Sequence, residues 1–359
     1  MNSRNFLSCV IILVLTATTI SYAQQNLAHP NMQKLKIGFA IPLSGNGAWL
    51  GKAFQNGVEL YFEGHPEFKG QTELFYQDET TANTAMGIKA VAHLIENSKV
   101  DALVVLLSPV AFAAGPMIET AKIPTIAIAG AEVSKDRQYM VKLWLATSAE
   151  GRSIAVELKK HPEWKTIAFI TSEQESMLAR SKATKEAFSN NNVDINIVFD
   201  ENIADTESFG ILAAKIAQKK PDVLVLNLMP GQVGLMARKL WQYNYRGQLI
   251  GCSTMSAKSE LDLAQGSLKG ALYVDGDYDY GFIETYRRKY GEFPLPGTAN
   301  AYDALKILEH ALKASGEINH EKLNQNIRLQ NFSGALGNYS FIPNNLNSYD
   351  LPAILRKID

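Results

Sequence analysis

Cysteine is scarce in this chain: two residues, Cys9 and Cys252, stand among 359. Cys9 lies in an N-terminal apolar run that reads as a leader, so a chain trimmed after that run keeps Cys252 alone and no internal disulfide. Cys252 is expected to be inert packing. The six histidines, at positions 29, 65, 93, 161, 310 and 320, form no pair at metal-ligand spacing, and one remaining cysteine cannot complete a zinc set. No metal and no cofactor are expected. Charge of one sign is missing too, with 35 Lys and Arg against 36 Asp and Glu. No basic face for nucleic acid follows from that balance.

Several catalytic and nucleotide signatures are absent. Gly45, Gly47 and Gly51 miss the GxGxxG spacing by one residue, and no glycine-lysine phosphate loop occurs. Asp275, Asp277 and Asp279 start like a calcium loop, but Tyr280 stands where glycine is needed and Tyr286 where glutamate is needed. A solvated loop is expected there. Around Ser108 the chain reads LLSPV rather than GxSxG, and Pro109 removes the N–H that an oxyanion hole would use. A hydrolase is therefore the least supported reading, and no enzyme activity is expected.

What is present begins with MNSRNFLSCVIILVLTATTISYAQQ: Arg4 in a short basic start, an apolar core from Phe6 to Leu15, and Ser21-Tyr22-Ala23 as a small-x-small cleavage site. That core is too short to span a bilayer, which needs about 20 residues. It reads as a secretory signal peptide over residues 1–23, and Cys9 precedes the cleavage point, where it cannot be a lipidated first residue. A soluble periplasmic location is expected.

From Leu35 onward, apolar strand-like runs alternate with helical spacing. Strands are expected at Leu35–Pro42, Thr72–Gln77, Ala102–Leu107 and Pro124–Ala129, with helices at Ala48–Glu63, Asn83–Asn97 and Ala111–Ala121 between them. The alternation restarts at Thr166–Thr171 and continues through strands at Asp194–Phe199, Asp222–Leu228, Gln248–Gly251 and Ala271–Val274. An α/β fold of two doubly wound parallel-sheet lobes follows. Repeated crossing of the chain between the lobes would make a hinge with a cleft. The first lobe is expected to span 34–147 with 277–336, and the second 148–276 with 337–359.

Ligands in such sheets collect beyond the carboxyl ends of the strands. Ser108 follows the third strand and the turn Ala129-Gly130-Ala131 follows the fourth, so the two should lie side by side at one rim. The serine hydroxyl, the turn's N–H groups and the N-terminus of the helix beginning near Val110 would together make an anion pocket without lysine or arginine.

The segments KIGFAIPLSGNGAWLGKAFQNGVEL, VDALVVLLSP, IPTIAIAGAE, TIAFITSEQESMLARS, PDVLVLNL and FIETYRRKYGEFPLPGTANAYDALKILEHALKASG, in this order and spacing, resemble the type I periplasmic solute-binding proteins of the leucine/isoleucine/valine-binding family. The resemblance covers essentially the whole chain after the leader and implies two α/β lobes joined by a three-crossover hinge. It implies that Ser108, Ala129, Gly130 and Ala131 bind a ligand carboxylate, and that Trp49 or Leu50 lines the cavity from the first loop. Strand ends of the second lobe should face the cleft, with Asn227 and Tyr278 expected to bind the ligand; packing at the hinge is the alternative for Tyr278.

The departures narrow the ligand. Amino-acid binders of the family place a threonine where this chain has Ala131 and an acid near Ser253 to hold the α-ammonium. A buried ammonium without such partners is costly. Glu132, Glu173, Glu175 or Asp277 are the acids that would have to substitute; otherwise the ligand is a carboxylate or amide lacking the amine. The resemblance implies an importer subunit whose partners are a small-molecule ligand and an inner-membrane ABC permease, acting as a monomer. A periplasmic sensor that presents its closed form to a membrane receptor is the alternative use of the same fold.

Overall fold

The computed structural model describes residues 33–80, 83–328 and 332–359. The expected leader lies outside the described residues. A compact unit, Leu35–Asp359, carries the strands and helices. In chain order the strands are β1 (Leu35–Ile41), β2 (Thr72–Asp78), β3 (Ala102–Leu106), β4 (Thr125–Ile128), β5 (Met140–Lys142), β6 (Thr166–Ser172) and β7 (Asn196–Ile203). They continue with β8 (Val223–Asn227), β9 (Gln248–Cys252), β10 (Leu272–Gly276), β11 (Phe332–Gly334), β12 (Gly337–Ile342), β13 (Asn345–Asp350) and β14 (Ala353–Lys357).

Two sheets result. One has eight strands in the order β11-β12-β13-β5-β4-β3-β1-β2, the other six in the order β14-β10-β9-β8-β6-β7. Pairing is parallel from β1 through β5 and from β6 through β10. At the far edges β13 pairs parallel with β5 and is followed by antiparallel β12 and β11 in the first sheet, and β14 pairs antiparallel with β10 in the second. The architecture is the expected α/β pair of lobes, with mixed rather than purely parallel sheets.

The apolar runs of β1, β3 and β4 are buried on both faces because helices cover both. Phe39, Val104 and Ile126 pack with Phe54, Val58, Leu305 and Leu308 from the helices Ala48–Gly64 and Thr298–Ser315. Ala40, Leu103, Val105 and Ala127 pack on the other side with Val91, Leu94, Val110 and Ile118 from the helices Thr84–Glu96 and Ser108–Ala121. The second sheet repeats the scheme: Phe169 and Val225 face Ile154, Leu158 and Phe188, while Ile170 and Leu226 face Leu212, Ile216 and Met236. Glycine is required where the helix Ala48–Gly64 meets the end of β1, since a Cβ on Gly51 would stand 1.9 Å from the Pro42 carbonyl oxygen.

The backbone passes between the sheets three times: after Lys142, between Gly276 and Tyr280, and between Asp350 and Ala353. The helices after β10 return to the first sheet, where Tyr286 meets Asn56 and Lys289 pairs with Glu63. One boundary differs from expectation. The sequence places residues 337–350 in the second lobe, but β12 and β13 extend the first sheet, with Ser348 beside Lys142, and only β14 joins the second. Without β13, the three-residue β5 would present an open edge. Asn347 fixes the junction by donating from Nδ2 to the Ser134 and Arg137 carbonyls at 3.1 and 2.5 Å.

Candidate functional site

The carboxyl end of β3 turns abruptly. Leu107 adopts φ +72°, a left-handed conformation unusual for leucine, and the helix Ser108–Ala121 starts at the next residue with Pro109 in its first turn. The turn aims the helix N-terminus at the rim. Ser108 is buried, and its Oγ accepts the Ala131 N–H at 3.2 Å. A hydroxyl that accepts in this way keeps its own O–H to donate outward. Serine and turn therefore lie side by side, as expected, while the Ala131 N–H is engaged by Ser108 itself. Ala129 and Ala131 are buried and Gly130 is half-buried.

The loop after β1 is tied to the end of β2. Asp78 accepts from the N–H groups of Leu43, Ser44 and Thr80 and from the Ser44 hydroxyl. Burial would raise the pKa of this carboxyl, but the Ser44 hydroxyl and the three N–H donors prevail and lower it. This anchored loop delivers the helix start that carries Trp49 and Leu50. Leu50 enters the wall of a cavity between the lobes, whereas Trp49 packs against the core, its buried Nε1 without a partner among the described residues.

That cavity has a volume of about 80 Å³. The first lobe contributes Ser108, Gly130 and Trp144, and the second Met177, Arg180 and Ser253. Its further lining is mostly apolar, including Leu106, Ile128, Met229 and Pro296. Larger depressions of about 660 and 600 Å³ lie elsewhere: one along the helix Thr147–Lys160, one at the amino-terminal ends of β6 and β8. Both are open surface grooves, and neither shares a lining residue with the cavity. At the interlobe cavity the lobes approach closely, since a Cβ on Gly130 would meet Ser176 Cβ at 3.2 Å.

The single charged group in this lining is Arg180, on the helix Glu175–Asn190. Its guanidinium is bidentate to Glu150 of the preceding helix, and both side chains are almost fully buried. Burial opposes the arginine's charge, but the Glu150 carboxylate beside it prevails and raises its pKa. Lys142, at the end of β5, is also wholly buried and donates to Glu132 at 2.7 Å. Desolvation pushes its ammonium pKa below the ordinary value despite Glu132.

The other expected site residues lie apart from the cavity wall. Asn227, ending β8, is fully buried beside Thr171 of β6; its amide atoms and the Thr171 hydroxyl have no partner among the described residues. Tyr278 packs at the hinge, stacked with Phe282, edge to face with Phe293 and under Arg356, and donates to Asp275 at 3.0 Å. Of the four acids weighed as ammonium partners, Glu132 is paired with Lys142, and Glu173, Glu175 and Asp277 are exposed. None of them lines the cavity. Sequence reasoning passed over Trp144, Met177 and Arg180. The only hint for Arg180 was its place three residues after Met177, on a helix face that continues at Ser181 and Thr184, both buried.

Residues 34–348 match the family described as periplasmic binding protein. The chain belongs to this family, and it is a binding protein rather than an enzyme. Comparison with curated protein sequences gives no match. Among solved structures, a leucine-binding protein from Thermotoga maritima shares 22% identity and the same fold, covering 90% of this chain and 95% of its own, with a TM-score of 0.78. An ABC-transporter solute-binding protein from Rhodopseudomonas palustris in complex with benzoate is likewise 22% identical, at 91% and 93% coverage and a TM-score of 0.78. A branched-chain amino acid transporter substrate-binding protein from Streptococcus pneumoniae, in complex with isoleucine, gives 22%, 91% and 97% coverage, and 0.79. Among the described residues no helix is long and apolar enough to cross a membrane, and no group of three or more His, Cys, Asp or Glu is placed to hold a metal ion.

Proposed function

We propose that this chain is the extracytoplasmic solute-binding subunit of an ABC importer and that its ligand is a small carboxylate with an apolar body and no ammonium group. The observation that carries the reading is the composition of the interlobe cavity: an anion-favouring rim at Ser108 and Gly130, apolar walls, and no carboxylate in the lining. An amino acid would bury its ammonium there unpaired, at a cost of several kcal/mol. A benzoate or branched aliphatic acid meets no such penalty. The two kinds of relative named above, one holding isoleucine and one holding benzoate, show that this fold accommodates either ligand class.

A cavity of about 80 Å³ holds only two or three waters at about 30 Å³ each, so an organic solute enters when the lobes move apart and is enclosed when they return. The closed form would dock on an inner-membrane permease. The test is a thermal-shift and calorimetric series of the protein with benzoate, 4-methylpentanoate, their amides, and leucine. A ligand at a hundred times its Kd adds about 2.7 kcal/mol to stability. The carboxylates are expected to shift the transition and leucine is not; a shift with leucine alone overturns the ligand assignment.

A further inference from the structure

Two buried ion pairs stand behind the cavity. Lys142 and Arg180 are almost wholly enclosed, with side-chain exposures of 0% and 6%. Lys142 is paired with Glu132 and Arg180 with Glu150, and Glu150 is itself enclosed, at 2%. Enclosed charges persist when they are paired. Of these four groups Arg180 alone lines the cavity.

One side of its guanidinium lacks a strong acceptor. Glu150 engages Nε and Nη2 of Arg180, while Nη1 meets the Met177 thioether at 3.4 Å. The Cys252 thiol is another neighbour of the guanidinium. Sulfur is a weak acceptor, so donor capacity on this side of the guanidinium remains for a stronger one. Met177, Arg180 and Cys252 line the same cavity as Ser108 and Gly130.

We infer that Arg180 is a ligand-binding residue and that the ligand carboxylate bridges the lobes, accepting from Ser108 on one side and from the Arg180 guanidinium on the other. The inference rests on the carboxylate reading and deepens it. Ligand charge then becomes the closing force. A neutral amide of the same shape fills the apolar walls but brings no negative charge to the guanidinium, so discrimination between acid and amide belongs to Arg180.

The experiment compares benzoate with benzamide, and 4-methylpentanoate with its amide, on the wild type, on Arg180→Met and on the paired variant Arg180→Met/Glu150→Gln. The paired variant removes both charges together and keeps the fold testable if the single one fails to fold. The wild type is expected to prefer acid over amide, and the paired variant to lose about 10- to 100-fold in acid affinity with amide affinity unchanged. Small-angle scattering is expected to show contraction of the wild type with the acid and none with the amide. A paired variant that folds and still prefers the acid overturns the role of Arg180 while leaving the carboxylate reading intact. A wild type that binds none of the acids overturns both.

Discussion

The two lobes approach the cavity with different chemistry. The first offers a hydroxyl, backbone amides and a helix terminus, all set by the tight turns after β3 and β4. The second offers side chains from a helix, chiefly Arg180, held from beneath by Glu150. Buried carboxyls show the same contrast. Glu150 is enclosed and paired, whereas Glu79, at the first lobe's rim after β2, is enclosed with neither oxygen partnered among the described residues. Burial, helped by the neighbouring Asp78, pushes the Glu79 pKa up from 4.5 to about 9. One lobe thus keeps a charge by supplying a partner, and the other removes a charge by holding a proton.

Breaking the second lobe's pair should have the largest effect. Glu150→Ala leaves Arg180 charged and unpaired in the interior, and is expected to lower unfolding stability by about 3 to 5 kcal/mol. Urea denaturation measures it; a midpoint close to wild type would mean that water reaches the guanidinium and that the pair is not enclosed as described.

At the first lobe's rim, Ser108→Ala removes a small, neutral group. Affinity for a carboxylate should weaken by about 1 to 3 kcal/mol, the worth of a hydrogen bond to a charged acceptor, and the unliganded protein should lose stability of the same order because the buried Ala131 N–H is left without its acceptor. Isothermal titration separates the two quantities, and an unchanged Kd would remove Ser108 from the site.

Glu79→Gln sharpens the contrast between the two carboxyls. A carboxyl whose pKa is raised in the folded state contributes stability that is full below about 4.5 and is lost as pH rises toward about 9, at roughly 1.4 kcal/mol per pKa unit. The wild type is therefore expected to lose stability across that window, and the glutamine variant to show a flatter profile. Parallel pH profiles for the two proteins would mean that Glu79 is ionised and partnered in the fold.

The first lobe's rim was legible in the sequence because strand ends and their turns are local features. The apolar runs at Leu103–Leu106 and Thr125–Ile128 locate the strands, and the parallel α/β rule places Ser108 and Gly130 together. Arg180 was not legible. In ESMLARSK a charged residue on a helix reads as solvent-facing, and its burial depends on Glu150, thirty positions earlier on another helix. Strands β12 and β13 were misassigned for a related reason: their turn at Asn344, with φ +62°, is local, but the edge they cover belongs to β5, far earlier in the chain. Trp49 and Leu50 show the limit within one loop, where helical phase alone decides which of two neighbours faces the cavity.

The pairing of Ser348 with Lys142 also has a kinetic side. The edge strand of the first sheet waits for a partner about two hundred residues downstream, so that lobe cannot be completed until nearly the whole chain is available. Contacts of such long range slow folding and leave an open strand exposed in the interim. A chain interrupted before Asn345 would retain every strand of β1 through β5 and still present a sticky edge at β5.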